Sequence, residues 1–332
     1  MPRILLTQAI HPLVQARLRT LGEVRVAPDT ATDTLRREAQ GCNVVVVRAP
    51  LPDDIFAAAP SLIGAVRHGA GTDMIPIDAA TAHGVLVANV PGVNANTVAE
   101  HVLGSMLQLA RRSQALAAQL RVHGSRGWAG ARALADPGFE LAGRTVGLVG
   151  YGHVGQAIAR ICASGLAMQV LTHTRSELNA GAPWATRAPL AELLQRSDFV
   201  VLACPLTAET RGLIGPPQLA QMRDSAYLIN VARGPVVQEA ALIEVLQTSR
   251  LAGAALDVFD AQPLPEDHPY WRMEQVLITP HVAGITEDSM LRMGFGAAQA
   301  VEHLLRGEVP PNCINPQAEA AFRQHRAALA RV

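Results

Sequence analysis

The sequence predicts an α/β protein built from two doubly wound parallel-sheet domains. Three observations point there. Short β-rich runs alternate with helical patterns, the alternation occurs twice on either side of a long helical stretch, and the second series opens with a glycine turn between strand and helix.

Taken in order, β-rich runs at 3–7, 23–26, 43–47, 62–66 and 85–88 recur at intervals of about twenty residues, with helical patterns such as 11–20 and 32–39 between them. Residues 94–122 read as one long helix interrupted only by Gly104, since Val98, Val102, Met106, Leu109 and Ala110 keep a helical period. Residues 123–138, rich in Gly, Ala and Arg, read as a loop. A second series follows, with strands at 145–149, 169–172, 199–203, 226–231, 253–258 and 276–279, enough for a complete dinucleotide-binding sheet. The helical run 286–305 and the Pro-rich segment 309–316 are too small for a separate domain. They are expected to pack back on the first series, giving a discontinuous domain of 1–98 plus 284–332 around an inserted domain of 99–283, with a hinge where the chain crosses.

At 332 residues, 49% hydrophobic and 17% charged, the chain suits two globular domains. Acidic and basic residues balance at 28 each, and no basic stripe marks nucleic acid as a partner. Every basic residue is arginine. Without lysine there is no Schiff-base, P-loop or Tyr-Lys reductase chemistry. Cys42, Cys162, Cys204 and Cys313 form no CxxC pair, so reduced thiols and no metal site are expected. The opening, Met1-Pro2-Arg3 and then Ile4-Leu5-Leu6, is too short for a signal peptide, and no apolar run reaches the roughly 18 residues of a membrane span. A cytoplasmic location is expected.

Gly150-Tyr151-Gly152-His153-Val154-Gly155 follows a strand and opens the helical run 156–163. In that setting the glycines permit a tight turn, approach of a pyrophosphate and close helix–strand packing, with the helix N-terminus facing the phosphates. The next strand ends in Thr174-Arg175-Ser176, with no carboxylate before Glu177. A carboxylate there would bind a ribose 2′-hydroxyl, whereas Arg175 with the Thr174 and Ser176 hydroxyls suits a 2′-phosphate. The expected cofactor is NADP, with NAD as the alternative.

Two further strand ends carry chemistry. Arg233, after Asn230-Val231-Ala232 and before Gly234, offers a guanidinium for a carboxylate and its neighbouring carbonyl. His281, after Thr279-Pro280 and before Val282-Ala283-Gly284, offers an acid/base at the same sheet edge.

With these motifs the chain resembles the D-isomer-specific 2-hydroxyacid dehydrogenase family, which includes glyoxylate/hydroxypyruvate reductases. The resemblance runs from Arg67-His68-Gly69-Ala70-Gly71-Thr72-Asp73 through Val98-Ala99-Glu100-His101 and the glycine turn. It continues through Cys204-Pro205-Leu206-Thr207 and Val231-Ala232-Arg233-Gly234 to Leu256-Asp257-Val258-Phe259 and Thr279-Pro280-His281. It implies a Rossmann NAD(P)-binding domain inserted in a flavodoxin-like substrate domain, hydride transfer in the cleft between them, and a homodimer formed through the 94–122 region. It also implies roles. Arg233 clamps and polarises a small 2-keto or 2-hydroxy acid, His281 gives or takes the proton, and backbone N–H groups at Ala70 and Gly71 hold the carboxylate. Asp257 binds the nicotinamide carboxamide, Cys204 and Pro205 line the adenosine side, and Thr210, Val231, Ala232 and Gly284 also touch cofactor. His68, Met74 and the loop 48–51 are expected near the substrate.

One position departs from the family. A Glu that partners the histidine is replaced by Gln262, and the nearest carboxylate, Asp260, lies two residues out of register. Gln262 can orient the imidazole but supplies no charge. The same Gln beside Pro263 is similar to formate dehydrogenases, which transfer hydride without a proton, so formate oxidation stands as an alternative. A non-catalytic NADP(H)-sensing protein is another, against which Arg233 and His281 both argue. No regulatory domain is expected after residue 316.

Overall fold

The computed structural model describes residues 1–175 and 183–329. The chain divides into two compact units, Met1–Asn94 with Thr286–Val332, and Ala95–Ile285.

The first unit holds a five-stranded parallel sheet of β1 (Arg3–Leu6), β2 (Glu23–Val26), β3 (Val44–Val47), β4 (Gly64–Arg67) and β5 (Leu86–Ala88), in the order β2-β1-β3-β4-β5. β3 is four consecutive valines, all buried, as a strand covered on both faces requires. One face packs against Ala297, Ala298, Val301 and Leu304 of the helix Glu287–Arg306. That helix starts where Thr286 and Ser289 exchange side-chain and backbone hydrogen bonds, and it stops at Gly307, whose φ of +81° suits glycine.

The second unit holds β6 (Thr145–Val149), β7 (Gln169–His173), β8 (Thr186–Arg187), β9 (Phe199–Leu202), β10 (Tyr227–Asn230), β11 (Gly253–Leu256) and β12 (Val276–Ile278). All pair in parallel, in the order β12-β11-β10-β9-β6-β7-β8. Seven strands replace the six expected. The extra one, β8, is two exposed residues on the sheet edge, too short and too polar to leave a hydrophobic pattern. The winding reverses at β6, so the crevice at its carboxyl end is where such a sheet takes its ligand.

Two other expectations are corrected. The long helix is two helices, Ala95–Arg111 and Ser113–His123, broken at Arg112 (φ +52°) and not at Gly104. Phe139 N–H takes the Ala110 carbonyl there, which draws the last turn out of the helical ladder. The expected loop after residue 123 is instead a 3-10 turn, Gly124–Gly127, and a helix, Trp128–Ala135. Its alanines favour helix strongly enough to outweigh the single Gly130. Among the described residues no helix is long and apolar enough to cross a membrane. All four cysteines are unpaired, three of them buried.

Candidate active site

β6 delivers the chain into Gly150 at φ +102°, and a Cβ there would lie 2.8 Å from the Ala203 oxygen and the Cys204 nitrogen at the end of β9. Only glycine can make that approach. A Cβ on Gly155 would sit 2.4 Å from the Gly150 oxygen, so the helix His153–Arg160 starts pressed against the turn. Gly152 differs: a Cβ there would meet nothing within 4 Å, and no side chain caps the helix. Uncapped N–H groups at a positive helix end, behind a residue with open space before it, form a cradle that fits a dinucleotide pyrophosphate. His153 is exposed and Val154 half-buried, whereas Tyr151 turns inward, 9% exposed, so only its backbone belongs to the turn.

Thr174 is half-buried and Arg175 exposed at the end of β7; Ser176 lies outside the described residues. Arg175 is close enough to act on Glu209 of the segment after β9. The Glu209 carboxyl is held below its ordinary range first by the Thr207 hydroxyl, which donates at 2.6 Å, with the Arg175 charge adding. In that segment the Thr210 hydroxyl donates to the Pro205 carbonyl at 2.6 Å and accepts from Thr207 N–H at 2.8 Å, which fixes the loop carrying Cys204 and Pro205. Burial raises the Cys204 thiol, so it sits there as a neutral apolar group.

At the end of β10, buried Asn230 shapes the turn that carries Arg233. Its Oδ1 accepts from Ala232 N–H at 3.0 Å and its Nδ2 donates to the Arg233 carbonyl at 3.0 Å. Val231 and Arg233 are half-buried and Ala232 buried. The guanidinium donates to the Ala232 carbonyl at 2.7 Å. Gly234 lies against the loop after β11, where a Cβ would fall 2.1 Å from the Phe259 carbonyl carbon. Backbone thus meets backbone, and the Arg233 turn and the segment leading to Gln262 are locked together.

His281 sits at φ +57°, a region costly for a residue with a Cβ. Asp257, 2% exposed, holds it there. Asp257 Oδ1 accepts from the Thr279 hydroxyl at 2.6 Å and Val282 N–H at 2.8 Å, and Oδ2 accepts from Ala283 N–H at 2.9 Å. The His281 N–H donates to the Asp257 backbone carbonyl at 2.9 Å. A carboxylate has about four acceptor positions, and these bonds take three, so Asp257 is first of all the organiser of the turn 279–283. Gly284, half-buried, follows that turn.

Gln262 donates from Nε2 to the Phe259 carbonyl at 3.2 Å, and its Oε1 lies 3.0 Å from His281 Nδ1. A carbonyl can only accept, so the amide nitrogen must face Phe259 and the amide oxygen the imidazole. Nδ1 therefore carries a hydrogen, and in the neutral ring Nε2 is the basic nitrogen.

Ala70 and Gly71 lie in the first unit, in the turn after β4, with Ala70 exposed. His68 beside them is 3% exposed with Nε2 unpartnered among the described residues. Burial, reinforced by the charges of Arg48 and Arg67, lowers its pKa from 6.5 to about 4. The unfolded chain therefore takes up this proton between those values while the folded one does not, and stability falls as pH drops through that window. The loss amounts to roughly 3 kcal/mol. His68→Gln should flatten urea midpoints measured between pH 6.5 and 4, and an unchanged slope would contradict this assignment.

Arg233, His281 and Gln262 stand out in the sequence, whereas the supporting roles of Asn230, Gly234 and Thr279 appear only in the structure. An Asn closing a strand before a turn was the one available signal for Asn230.

The family model for the D-isomer specific 2-hydroxyacid dehydrogenase, NAD binding domain, matches residues 103–283, more than half of the chain. The chain is 33% identical to a glyoxylate reductase of Korarchaeum cryptofilum over 323 residues, covering 95% of this chain and 96% of that protein. It is 35% identical over 318 residues to a D-3-phosphoglycerate dehydrogenase of Mycobacterium bovis, covering 95% of this chain but only 59% of that protein. Among solved structures, the NADPH-dependent glyoxylate/hydroxypyruvate reductase of Sinorhizobium meliloti in complex with NADP and malonate superposes with a TM-score of 0.82 at 29% identity, covering 97% of this chain and 98% of that one. The matched stretch lies within the second unit and contains the glycine turn, Arg233, Gln262 and His281. The chain belongs to the D-isomer specific 2-hydroxyacid dehydrogenases, a family of NAD(P)-dependent oxidoreductases, and residues 103–283 are its NAD binding domain.

Proposed function

We propose that the chain is an NADP(H)-dependent reductase of small 2-keto acids such as glyoxylate or hydroxypyruvate, and in reverse an oxidant of D-2-hydroxy acids. The observation that carries this is the Gln262–His281 hydrogen bond, which leaves Nε2 of His281 as the acid/base nitrogen. The nicotinamide cofactor, when bound, supplies the hydride to the keto carbon or takes it back. As the carbonyl oxygen gains negative charge, Arg233 balances it and His281, protonated, donates from Nε2. In oxidation the neutral Nε2 removes the hydroxyl proton. The first unit is the proposed substrate domain, with Ala70 and Gly71 as carboxylate ligands.

Arg175 and Thr174, with no carboxylate at the end of β7, support NADP over NAD. A homodimer through the region of helices Ala95–Arg111 and Ser113–His123 is supported by the second of these, which buries no residue, and by exposed Leu107 and Val122. Unpaired cysteines fit a reducing cytoplasm.

Gln262 also supports a second reading, formate oxidation, because that reaction needs no proton donor. A panel of keto acids and formate, each with both cofactors and followed by nicotinamide absorbance, separates the two. Glyoxylate or hydroxypyruvate turnover faster with NADPH than with NADH is the expected result; formate turnover, or none with any acid, would overturn the proposal.

A further inference from the structure

The turn after β4 has every carbonyl engaged. Arg67 donates from Nε to the Gly71 carbonyl at 3.0 Å and from Nη1 to the His68 carbonyl at 2.8 Å. Val90 N–H donates to the Gly69 carbonyl at 2.8 Å, and Asn89 Nδ2 donates to the Ala70 carbonyl at 2.7 Å. Arg67 is itself anchored on the Val47 carbonyl at 2.9 Å, at the end of β3. Gly69 makes the path possible at φ +138°.

In a planar trans peptide the carbonyl oxygen and the following N–H point to opposite sides. Pinning the oxygens of Gly69 and Ala70 therefore turns the N–H groups of Ala70 and Gly71 away from the residues that pin them. Among the described residues those two N–H groups meet no acceptor. Successive unengaged N–H groups beside a fixed guanidinium make a nest for an anion.

We propose that Arg67 and Asn89 are positioning residues for substrate: Asn89, on the Ala70 carbonyl, turns the Gly71 N–H outward, and Arg67, on the His68 and Gly71 carbonyls, fixes the peptides on either side, so that the N–H groups of Ala70 and Gly71 are presented to a carboxylate. The identity of the anion rests on the keto-acid reading above. Neither side chain touches the reacting atoms, so their loss weakens binding and leaves turnover at saturation nearly intact.

The test is calorimetric titration of oxamate, a non-reacting analogue of a 2-keto acid, into the full-length protein saturated with NADPH. Arg67→Met and Asn89→Ala should each weaken oxamate binding about ten- to hundredfold, the loss of a charge-assisted or paired hydrogen-bond set. KM for glyoxylate should rise with it while kcat and NADPH affinity hold. Arg67→Lys keeps the charge but cannot span two carbonyls, and should bind as weakly as Arg67→Met. If Arg67→Met fails to fold, Asn89→Ala carries the test. Wild-type oxamate affinity in Asn89→Ala, full recovery in Arg67→Lys, or no oxamate binding by the wild type would each overturn the proposal. A wild type that binds oxamate in this residue-dependent way yet reduces no keto acid would sink the keto-acid reading alone.

Discussion

His281→Asn should lower kcat for keto-acid reduction by about 10²–10⁴-fold, the usual worth of a positioned general acid, while NADPH affinity stays close to wild type. Asparagine is the informative replacement because it tolerates the left-handed backbone that His281 occupies at φ +57°. The turn 279–283, held by backbone N–H groups and the Thr279 hydroxyl on Asp257, should survive the change. An effect confined to KM would remove His281 from the chemistry. An equal loss in NADPH binding would mean that the turn, and not the proton, had been disturbed.

Gly234→Ala should be the most damaging single methyl in the second unit. The new Cβ would lie 2.1 Å from the Phe259 carbonyl carbon, 2.2 Å from its oxygen and 2.6 Å from Asp260 nitrogen, all backbone atoms with no flexible end to swing aside. One of the two loops must move. Arg233 travels with the first, and with the second goes Phe259, the carbonyl that orients the Gln262 amide. Overpacking of this kind costs about 1–3 kcal/mol and sometimes more, and kcat/KM should fall further than stability alone accounts for. Gly152→Ala makes the control: with nothing within 4 Å of its Cβ, it should leave the melting temperature unchanged and weaken NADPH binding instead. Equal effects of the two variants on stability would contradict this division of labour.

The strands of both sheets were legible because buried parallel strands are written as apolar runs, β3 as four valines being the plainest case. The glycine turn was legible because its neighbours, a strand before and a helix after, are themselves patterned. β8 was not, since two exposed residues on an edge carry no periodicity. The break at Arg112 lacked its usual punctuation: no Gly or Pro marks it, and its cause is a hydrogen bond from Phe139, 29 positions away from the Ala110 carbonyl it takes.

The site shows the same division. Arg233 and His281 stood out at strand ends, whereas Gln262 stood out only against the family resemblance, which expects a carboxylate just before Pro263. What each residue leans on was hidden. That Gly234 touches Phe259 depends on how closely the loops after β10 and β11 approach, and that Asp257 serves the turn 279–283 depends on the path of a segment more than twenty residues later. Such contacts are made between neighbouring strands and leave no trace in either strand's own sequence.

The proposed reduction requires His281 to donate the proton beside an uncharged partner, Gln262. Gln262→Glu tests it: a carboxylate at that hydrogen-bonding distance favours the imidazolium, which is the form that reduces keto acids. In pH profiles of kcat/KM for glyoxylate reduction, the alkaline limb of Gln262→Glu should move upward by about one to three units relative to wild type. A limb that stays where it was would contradict the assignment of His281 as the acid.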